Sequence, residues 1–293
     1  MPEGKIIKAL SGFYYVLDKE KVIQCRGRGV FRKNKITPLV GDYVVYQADN
    51  DREGYLMEIK ARTNELVRPP IANVDQAILV FSAKEPDFST SLLDRFLVIV
   101  ESNDIEPIIC ISKLDLLTPE EKADLEKKAR EYEIIGYQVV RTSAKTDAGM
   151  KDILPLLKGM TSVVAGQSGV GKSSLLNSLN TNLQLKTSII SAHLGRGKHT
   201  TRHVELIEVA DGLVADTPGF SALELDTIEA DQLGNCFLEM AKRSPECKFR
   251  GCLHVNEPKC AVKAAVEGGE IPAYRYEHYL QFLQEIKDRK PRY

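Results

Sequence analysis

The sequence predicts a multidomain α/β protein: an N-terminal β-barrel of the OB-fold type, a central α/β domain on a parallel sheet, and a C-terminal helical domain. Three observations carry this. The first 70 residues read as short strands with no helical period, strands and helices alternate from Val74, and helical patterning returns after Leu225 around a Cys/His cluster. The boundaries are accordingly set at 1–70, 71–225 and 226–293.

In the first segment, "GKIIKAL", "FYYVLD", "KVIQCRGRGVF", "DYVVYQA" and "YLMEIKA" are rich in β-branched and aromatic residues and are separated by Gly, Asn, Asp or Pro. Several short strands of this kind imply a small closed barrel, commonly five-stranded. Arg26, Arg28, Arg32, Lys33 and Lys35 around Phe31 combine positive charge with an aromatic, as single-stranded nucleic-acid platforms do. The same charges would equally keep an edge strand soluble.

In the central segment, "QAILVFSA" is a buried-strand run and "TSLLDRFLVIVESN" is helical. "EPIICISKLD" is a strand ending in a loop, and "TPEEKADLEKKAREYE" is an amphipathic helix with Thr118 as its cap. "YQVVRTSAK", a helix near "MKDILPLLKG", the strand "TSVVAG" and a helix from Lys172 continue the alternation. This order implies a parallel sheet covered on both faces, with ligands at the carboxyl ends of its strands. In the last segment Tyr276, Tyr279, Leu280, Leu283 and Ile286 recur at helical spacing, a packing stripe.

Composition narrows the class. With 43% hydrophobic and 28% charged residues the chain can bury a substantial core. No apolar run approaches the roughly 18 residues that span a bilayer, and the first residues lack a signal peptide's apolar centre, so no membrane association and a cytoplasmic location are expected. The net charge of −1 is unevenly distributed: residues 1–70 and 241–293 each carry +4, which leaves −9 between them. Basic ends around an acidic centre suggest that the flanks meet a polyanion.

The stretch Gly166-Gln167-Ser168-Gly169-Val170-Gly171-Lys172-Ser173, followed by Ser174, lies between a predicted strand and a predicted helix. Its glycines let backbone N–H groups wrap around phosphate oxygens, and the helix N-terminus adds its positive end. Lys172 would reach the β- and γ-phosphates and Ser173 would ligate Mg²⁺. Downstream, "LVADTPGF" ends a strand with Asp216 near the metal and the Gly219 N–H near the γ-phosphate. Between them, "HLGRGKHTTRHVELI" offers Thr200 and Thr201 as hydroxyls that could close on Mg²⁺.

Base selection is read from "SKLD", Ser112-Lys113-Leu114-Asp115, and from "TSAK", Thr142 to Lys145. They resemble the Asn-Lys-x-Asp motif and its companion loop in GTPases. Asp115 can accept both the ring N–H and the exocyclic amine of guanine, a donor pair that adenine lacks, which disfavours an ATPase. Lys113 would lie along the base, and the Ser143–Ala144 backbone would donate to the guanine oxygen. These elements precede the phosphate loop, whereas ordinary GTPases place them after it, so the same sheet would be built in circularly permuted order.

Cys247, Cys252, His254 and Cys260 form C-x4-C-x-H-x5-C, the donor set of a closed structural zinc site. A disulfide scaffold is the competing reading. The single, scattered Cys25, Cys110 and Cys236 of a long cytosolic chain argue against it.

Permuted "SKLD", "TSAK", "GQSGVGKSS", "GRGKHTT" and "DTPG", after a barrel and before C-x4-C-x-H-x5-C, closely resemble the ribosome small-subunit-dependent GTPase A family over essentially the whole chain. The resemblance implies an OB-fold, a circularly permuted P-loop GTPase domain and a helical zinc-binding domain. It also implies GTP hydrolysis stimulated by the small ribosomal subunit late in its maturation, and rRNA contacts from the flanking domains. GTP or GDP, Mg²⁺ and one structural Zn²⁺ are the implied bound groups, and a monomer is expected.

Two departures from general GTPase patterns matter. Ser112 replaces Asn, losing an amide that could bond the base and brace the phosphate loop, so modest guanine affinity is expected. Phe220 stands where many GTPases carry the water-orienting glutamine. With Lys172, Thr200 and Thr201, His199 is therefore a catalytic candidate, brought near the attacking water when ribosome binding orders its loop. An RNA contact or a plain loop residue is the alternative for His199. The rival function is an RNA-binding assembly factor whose nucleotide is mainly structural.

Overall fold

The computed structural model describes residues 1–48, 50, 53–67, 69–143, 149–181, 204–216 and 224–289. Its first five strands are β1 (Glu3–Leu10), β2 (Phe13–Asp18), β3 (Lys21–Gly27), β4 (Tyr43–Ala48) and β5 (Glu53–Ile59). They are ordered β1-β2-β3-β5-β4, and β4 returns to β1, so the barrel closes. Only β3 and β5 run parallel. Ile6, Val16, Ile23, Cys25, Val44, Tyr46 and Leu56 fill the interior. Closure leaves few unpaired edges to template aggregation.

One expected strand is shorter than its sequence suggests. "KVIQCRGRGVF" stops pairing at Gly27, and Gly29–Lys33 forms a short helix, α1. The turn inserts Phe31 into the barrel core, where it is 8% exposed. Burying the ring outweighs the β-propensity of the segment. Phe31 is therefore not the stacking aromatic that its basic neighbours suggested. Exposed aromatics of the barrel instead include Tyr43 and Tyr55.

A short hairpin, β6 (Glu65–Val67) and β7 (Pro70–Ala72), leads out of the barrel. The junction is polar but satisfied. Asp42, fully buried, accepts from Arg62 Nε at 2.7 Å and from the Leu39 N–H at 2.7 Å. Lys5 Nζ, also buried, donates to Thr161 Oγ1 at 2.5 Å, tying β1 to the central sheet.

That sheet holds β8 (Gln76–Ser82), β9 (Glu106–Ser112), β10 (Gln138–Arg141), β11 (Thr161–Ala165), β12 (Glu205–Val209) and β13 (Gly212–Asp216), ordered β10-β9-β8-β11-β13-β12. All pairs are parallel except β12 with β13. Side-chain alternation splits the core. Leu79, Phe81, Ile109 and Ile111 face α2 (Thr90–Glu101) and α3 (Pro119–Ile135), whereas Ile78, Val80, Ile108 and Cys110 face α4 (Met150–Leu157) and α5 (Lys172–Thr181). Thr118 caps α3 in a full capping box with Glu121.

From β8 the chain runs outward through β9 and β10, then restarts at β11 on the other side of β8. The crevice between β8 and β11 is thus the topological switch point, where ligands of such sheets bind. Counting from β11, the sheet reads 2-3-1-4-5-6, one doubly wound unit cut open between β13 and β8.

The C-terminal helices are α6 (Leu238–Arg243), α7 (Ala261–Glu267) and α8 (Ala273–Asp288). Tyr279, Leu283 and Ile286 are buried, as the stripe predicts. Arg275, with no exposed surface, meets Asp94 of α2 at 2.5 Å and Glu239 of α6 at 2.7 Å, while the Tyr132 hydroxyl and His278 also bond Asp94. A buried arginine with two carboxylates is retained only where its hydrogen bonds are complete. Among the described residues no helix is long and apolar enough to cross a membrane.

Candidate functional site

The phosphate loop leaves β11 at Ala165 and arches over the end of β8. Gly166 has φ +140°, and a Cβ there would lie 2.1 Å from the Val80 carbonyl oxygen, so only glycine fits. Gly171, at φ +97°, completes the turn into α5, whose first residue is Lys172. Lys172 Nζ donates to Gly166 O at 2.7 Å and Gln167 O at 2.6 Å, which folds the ammonium over the loop. Burial pulls its pKa below the ordinary lysine value. Gln167, Ser168 and Gly169 are exposed, Val170 is buried beneath them, and Ser173 and Ser174 are exposed on the first turn of α5. Outward-facing loop and helix N-terminus together form an anion cradle.

The residues expected to select the base lie one strand beyond β8. β9 ends at Ser112, and Lys113 takes a left-handed conformation at φ 58°. A 3₁₀ turn, Leu114–Leu116, then lifts Asp115 to the surface. Ser143, buried just after β10, donates to Asp115 Oδ1 at 2.7 Å and so orients the carboxylate. The Lys113 ammonium is held by the Glu85 carbonyl oxygen.

Ser112 corrects an expectation. Its hydroxyl donates to the Val170 carbonyl oxygen at 2.6 Å, with Phe81 O at 3.3 Å as the alternative acceptor. The loop's approach over β8 brings Val170 within reach of a short side chain, so replacing asparagine by serine does not remove the brace on the phosphate loop. The motif spacing placed Ser112 and Val170 in one site. Their contact required the three-dimensional course of the loop.

On the other flank, β13 pairs with β11 through Val163↔Ala215, which sets the backbone of Asp216 beside the start of the phosphate loop. Ala144, Lys145, His199, Thr200, Thr201, Thr217, Gly219 and Phe220 lie outside the described residues.

The second cluster is in the C-terminal segment. Cys247, Cys252, His254 and Cys260 bring their donor atoms within 4.8 Å of one another. Cys247 Sγ lies 3.9 Å from Cys260 Sγ and 3.6 Å from His254 Nδ1, and His254 Nδ1 lies 3.3 Å from Cys260 Sγ. Zn–S bonds of about 2.3 Å in a tetrahedron imply sulfur separations of about 3.8 Å. The set therefore fits zinc, and the 3.9 Å gap excludes a disulfide between Cys247 and Cys260. Glu257 accepts from the Leu253 and Val255 N–H groups at 2.8 Å each, and Tyr276 OH donates to His254 O at 2.6 Å. The Glu257 bonds brace the ligand loop on itself, and the Tyr276 bond ties it to α8.

Comparison with known proteins agrees with this geometry. The profile of the RsgA N-terminal domain matches residues 3–56, and that of the RsgA GTPase matches residues 59–226. Small ribosomal subunit biogenesis GTPase RsgA of Bacillus subtilis (strain 168) is 67% identical and that of Bacillus pumilus (strain SAFR-032) 68%, each over the whole of both chains. The crystal structure of YloQ, described as a circularly permuted GTPase, superposes with a TM-score of 0.88 at 62% identity, covering 100% of this chain and 97% of the other. That of YjeQ from Thermotoga maritima gives 0.86 at 38% identity, covering 99% of each.

Proposed function

This chain belongs to the RsgA GTPase family, and from that premise we propose that it hydrolyses GTP on the small ribosomal subunit during the subunit's late maturation. The observation that carries the proposal is the convergence of Asp115, oriented by Ser143, with a phosphate loop braced by Ser112 at one switch-point crevice. Guanine would be read by Asp115, with Lys113, Leu114 and the Ser143–Ala144 backbone around it. The loop from Gly166 to Ser174 would hold the phosphates. Mg²⁺ would sit between Ser173 and Asp216, where it would draw charge from the phosphates, and Lys172 would neutralise the β- and γ-oxygens.

Residues 1–70 serve in this reading as an RNA-facing barrel, 71–225 as the permuted GTPase domain and 226–293 as a zinc-stabilised helical domain. Support for an rRNA contact comes from one row of the barrel. Phe13, Arg26 and Tyr55 are cross-strand neighbours, Arg26 lies 5.0 Å over the Phe13 ring, and Tyr55 is 53% exposed. Stacked aromatic and guanidinium groups of this kind are a platform for unpaired bases. The protein acts as a cytoplasmic monomer. In this reading Thr200, Thr201 and the Gly219 N–H would serve the metal and γ-phosphate, and His199 would orient the attacking water in place of the missing glutamine.

Steady-state GTP hydrolysis, alone and with purified small subunits, tests the proposal, with large subunits and ATP as controls. A rise specific to GTP and the small subunit is expected. Intact RNA binding without any rise would instead favour a binding factor whose nucleotide is structural. Equal stimulation of wild type and His199→Ala would remove His199 from the mechanism.

A further inference from the structure

The barrel and the nucleotide-binding sheet are joined by strand pairing, and the seam lies close to a functional position. β1 pairs with β12 antiparallel through Lys8↔Glu205, and Glu205 pairs in turn with Asp216 at the end of β13. On its other side Lys8 pairs with Tyr15 of β2, and Tyr15 with Gln24 of β3. One row of cross-strand neighbours thus runs from the barrel wall to the residue assigned to the metal and γ-phosphate. At about 4.8 Å per strand, Lys8 and Asp216 stand about 10 Å apart along that row.

The local structure is built to make this junction. A β-bulge between Ile6 and Lys8 turns β1, so that its first half closes the barrel on β4 while its second half reaches β12. Lys8↔Glu205 is the sole β1–β12 register pair among the described residues. The same two side chains reinforce it: Lys8 Nζ lies 3.0 and 3.2 Å from the two Glu205 carboxylate oxygens. Their side chains are 23% and 29% exposed, so solvent screens the pair only partly.

We infer that Lys8 and Glu205 are positioning residues for subunit-stimulated hydrolysis, locking the register of β12 and hence the Asp216 backbone to the barrel. The inference rests on the proposed function. A barrel seated on the subunit then holds the sensing end of β13 in its productive place through a stiff row of paired residues. Without the ion pair, β12 keeps its hairpin with β13 but its anchor on the docked domain is reduced to a single backbone register pair. Neither residue belongs to the phosphate loop or to the segments assigned to the base, so hydrolysis in the absence of the subunit is unaffected.

The test uses the full-length protein and its Lys8→Glu, Glu205→Lys and doubly reversed variants, with GTP turnover measured without subunits and at saturating small subunits. Expected is a subunit-free rate within about two-fold of wild type in all three. The stimulated kcat falls about three- to five-fold in each single variant, the size of effect a partly buried ion pair supports, with unchanged KM for GTP and unchanged subunit affinity. The double reversal restores stimulation to within about two-fold. Lys8→Met and Glu205→Gln replace any reversed variant that does not fold. Full stimulation in both single variants, failure of the double reversal, or a loss confined to subunit affinity would each overturn the inference. A wild type that subunits do not stimulate would overturn the proposed function itself, and the inference with it.

Discussion

Replacing Ser112 by Ala removes one hydroxyl and tests whether the base site and the phosphate site are mechanically joined. The hydroxyl is 2.6 Å from the Val170 carbonyl oxygen, Val170 is 1% exposed, and water therefore cannot readily replace the lost donor. Leaving a buried carbonyl unpaired costs about 1–3 kcal/mol. The bond is internal to the protein, so that cost divides between fold stability and the order of the phosphate loop. At least about 1 kcal/mol is expected in nucleotide binding, or a GDP affinity about five-fold weaker, with the remainder in urea unfolding. Fluorescence titration of GDP measures the first share. Guanosine, measured as a competitor, provides the internal control, because it carries the base but no phosphate for the loop to grip. The brace predicts a loss for GDP and little for guanosine. An affinity for GDP within about two-fold of wild type, with unchanged stability, would refute the brace. An equal loss for guanosine would place the serine at the base instead.

Two further outcomes follow from other parts of the molecule. Purified protein should carry one zinc per chain; Cys252→Ser should lower that content and, like chelation, destabilise the C-terminal helices, read by elemental analysis and by urea unfolding. Burial raises the Glu101 carboxyl from an ordinary 4.5 to about 7, against the opposing pull of Arg275. The unfolded chain thus gives up this proton near pH 4.5 and the folded one near pH 7, so the group lowers stability progressively as pH rises through that window. Glu101→Gln should consequently gain stability relative to wild type between pH 5 and pH 7.5, and an equal difference at both pH values in urea unfolding would show that Glu101 does not titrate in this way.

The motifs were legible because each is a local constraint. A phosphate loop needs its glycines in consecutive turns, and a tetrahedral metal site of this type draws its ligands from one short segment, so spacing alone identifies both. Strand and helix alternation was legible for a related reason: β8 is a short apolar run buried at every position, as a strand covered on both faces must be. Phe31 was misread because its burial depends on where the barrel opens, which no local pattern encodes. Ser112 was misread because asparagine and serine differ in reach, and the distance to be spanned is set by a loop crossing β8 from another strand. The junctions at Lys5, Lys8 and Arg275 were invisible for the same reason, since each pairs residues more than 150 positions apart.

Those long-range junctions bear on why a permuted chain order is compatible with a working site. Cutting the doubly wound unit between β13 and β8 leaves the nucleotide crevice intact, because β8 and β11 are neighbours whichever is made first. The cut frees the two chain ends for other use. The new N-terminal end carries the barrel, whose β1 binds β11 through Lys5 and β12 through Lys8. The new C-terminal end carries the Cys/His domain, whose Arg275 grips α2 through Asp94. In an unpermuted order the polypeptide itself would join β13 to β8. Permutation replaces that covalent link with two flanking domains clamped onto the same sheet, one of them paired directly to the strand beside Asp216. An event at either flank can therefore reach the nucleotide crevice through side chains and strand pairing, and the Lys8–Glu205 row ends at the backbone of Asp216.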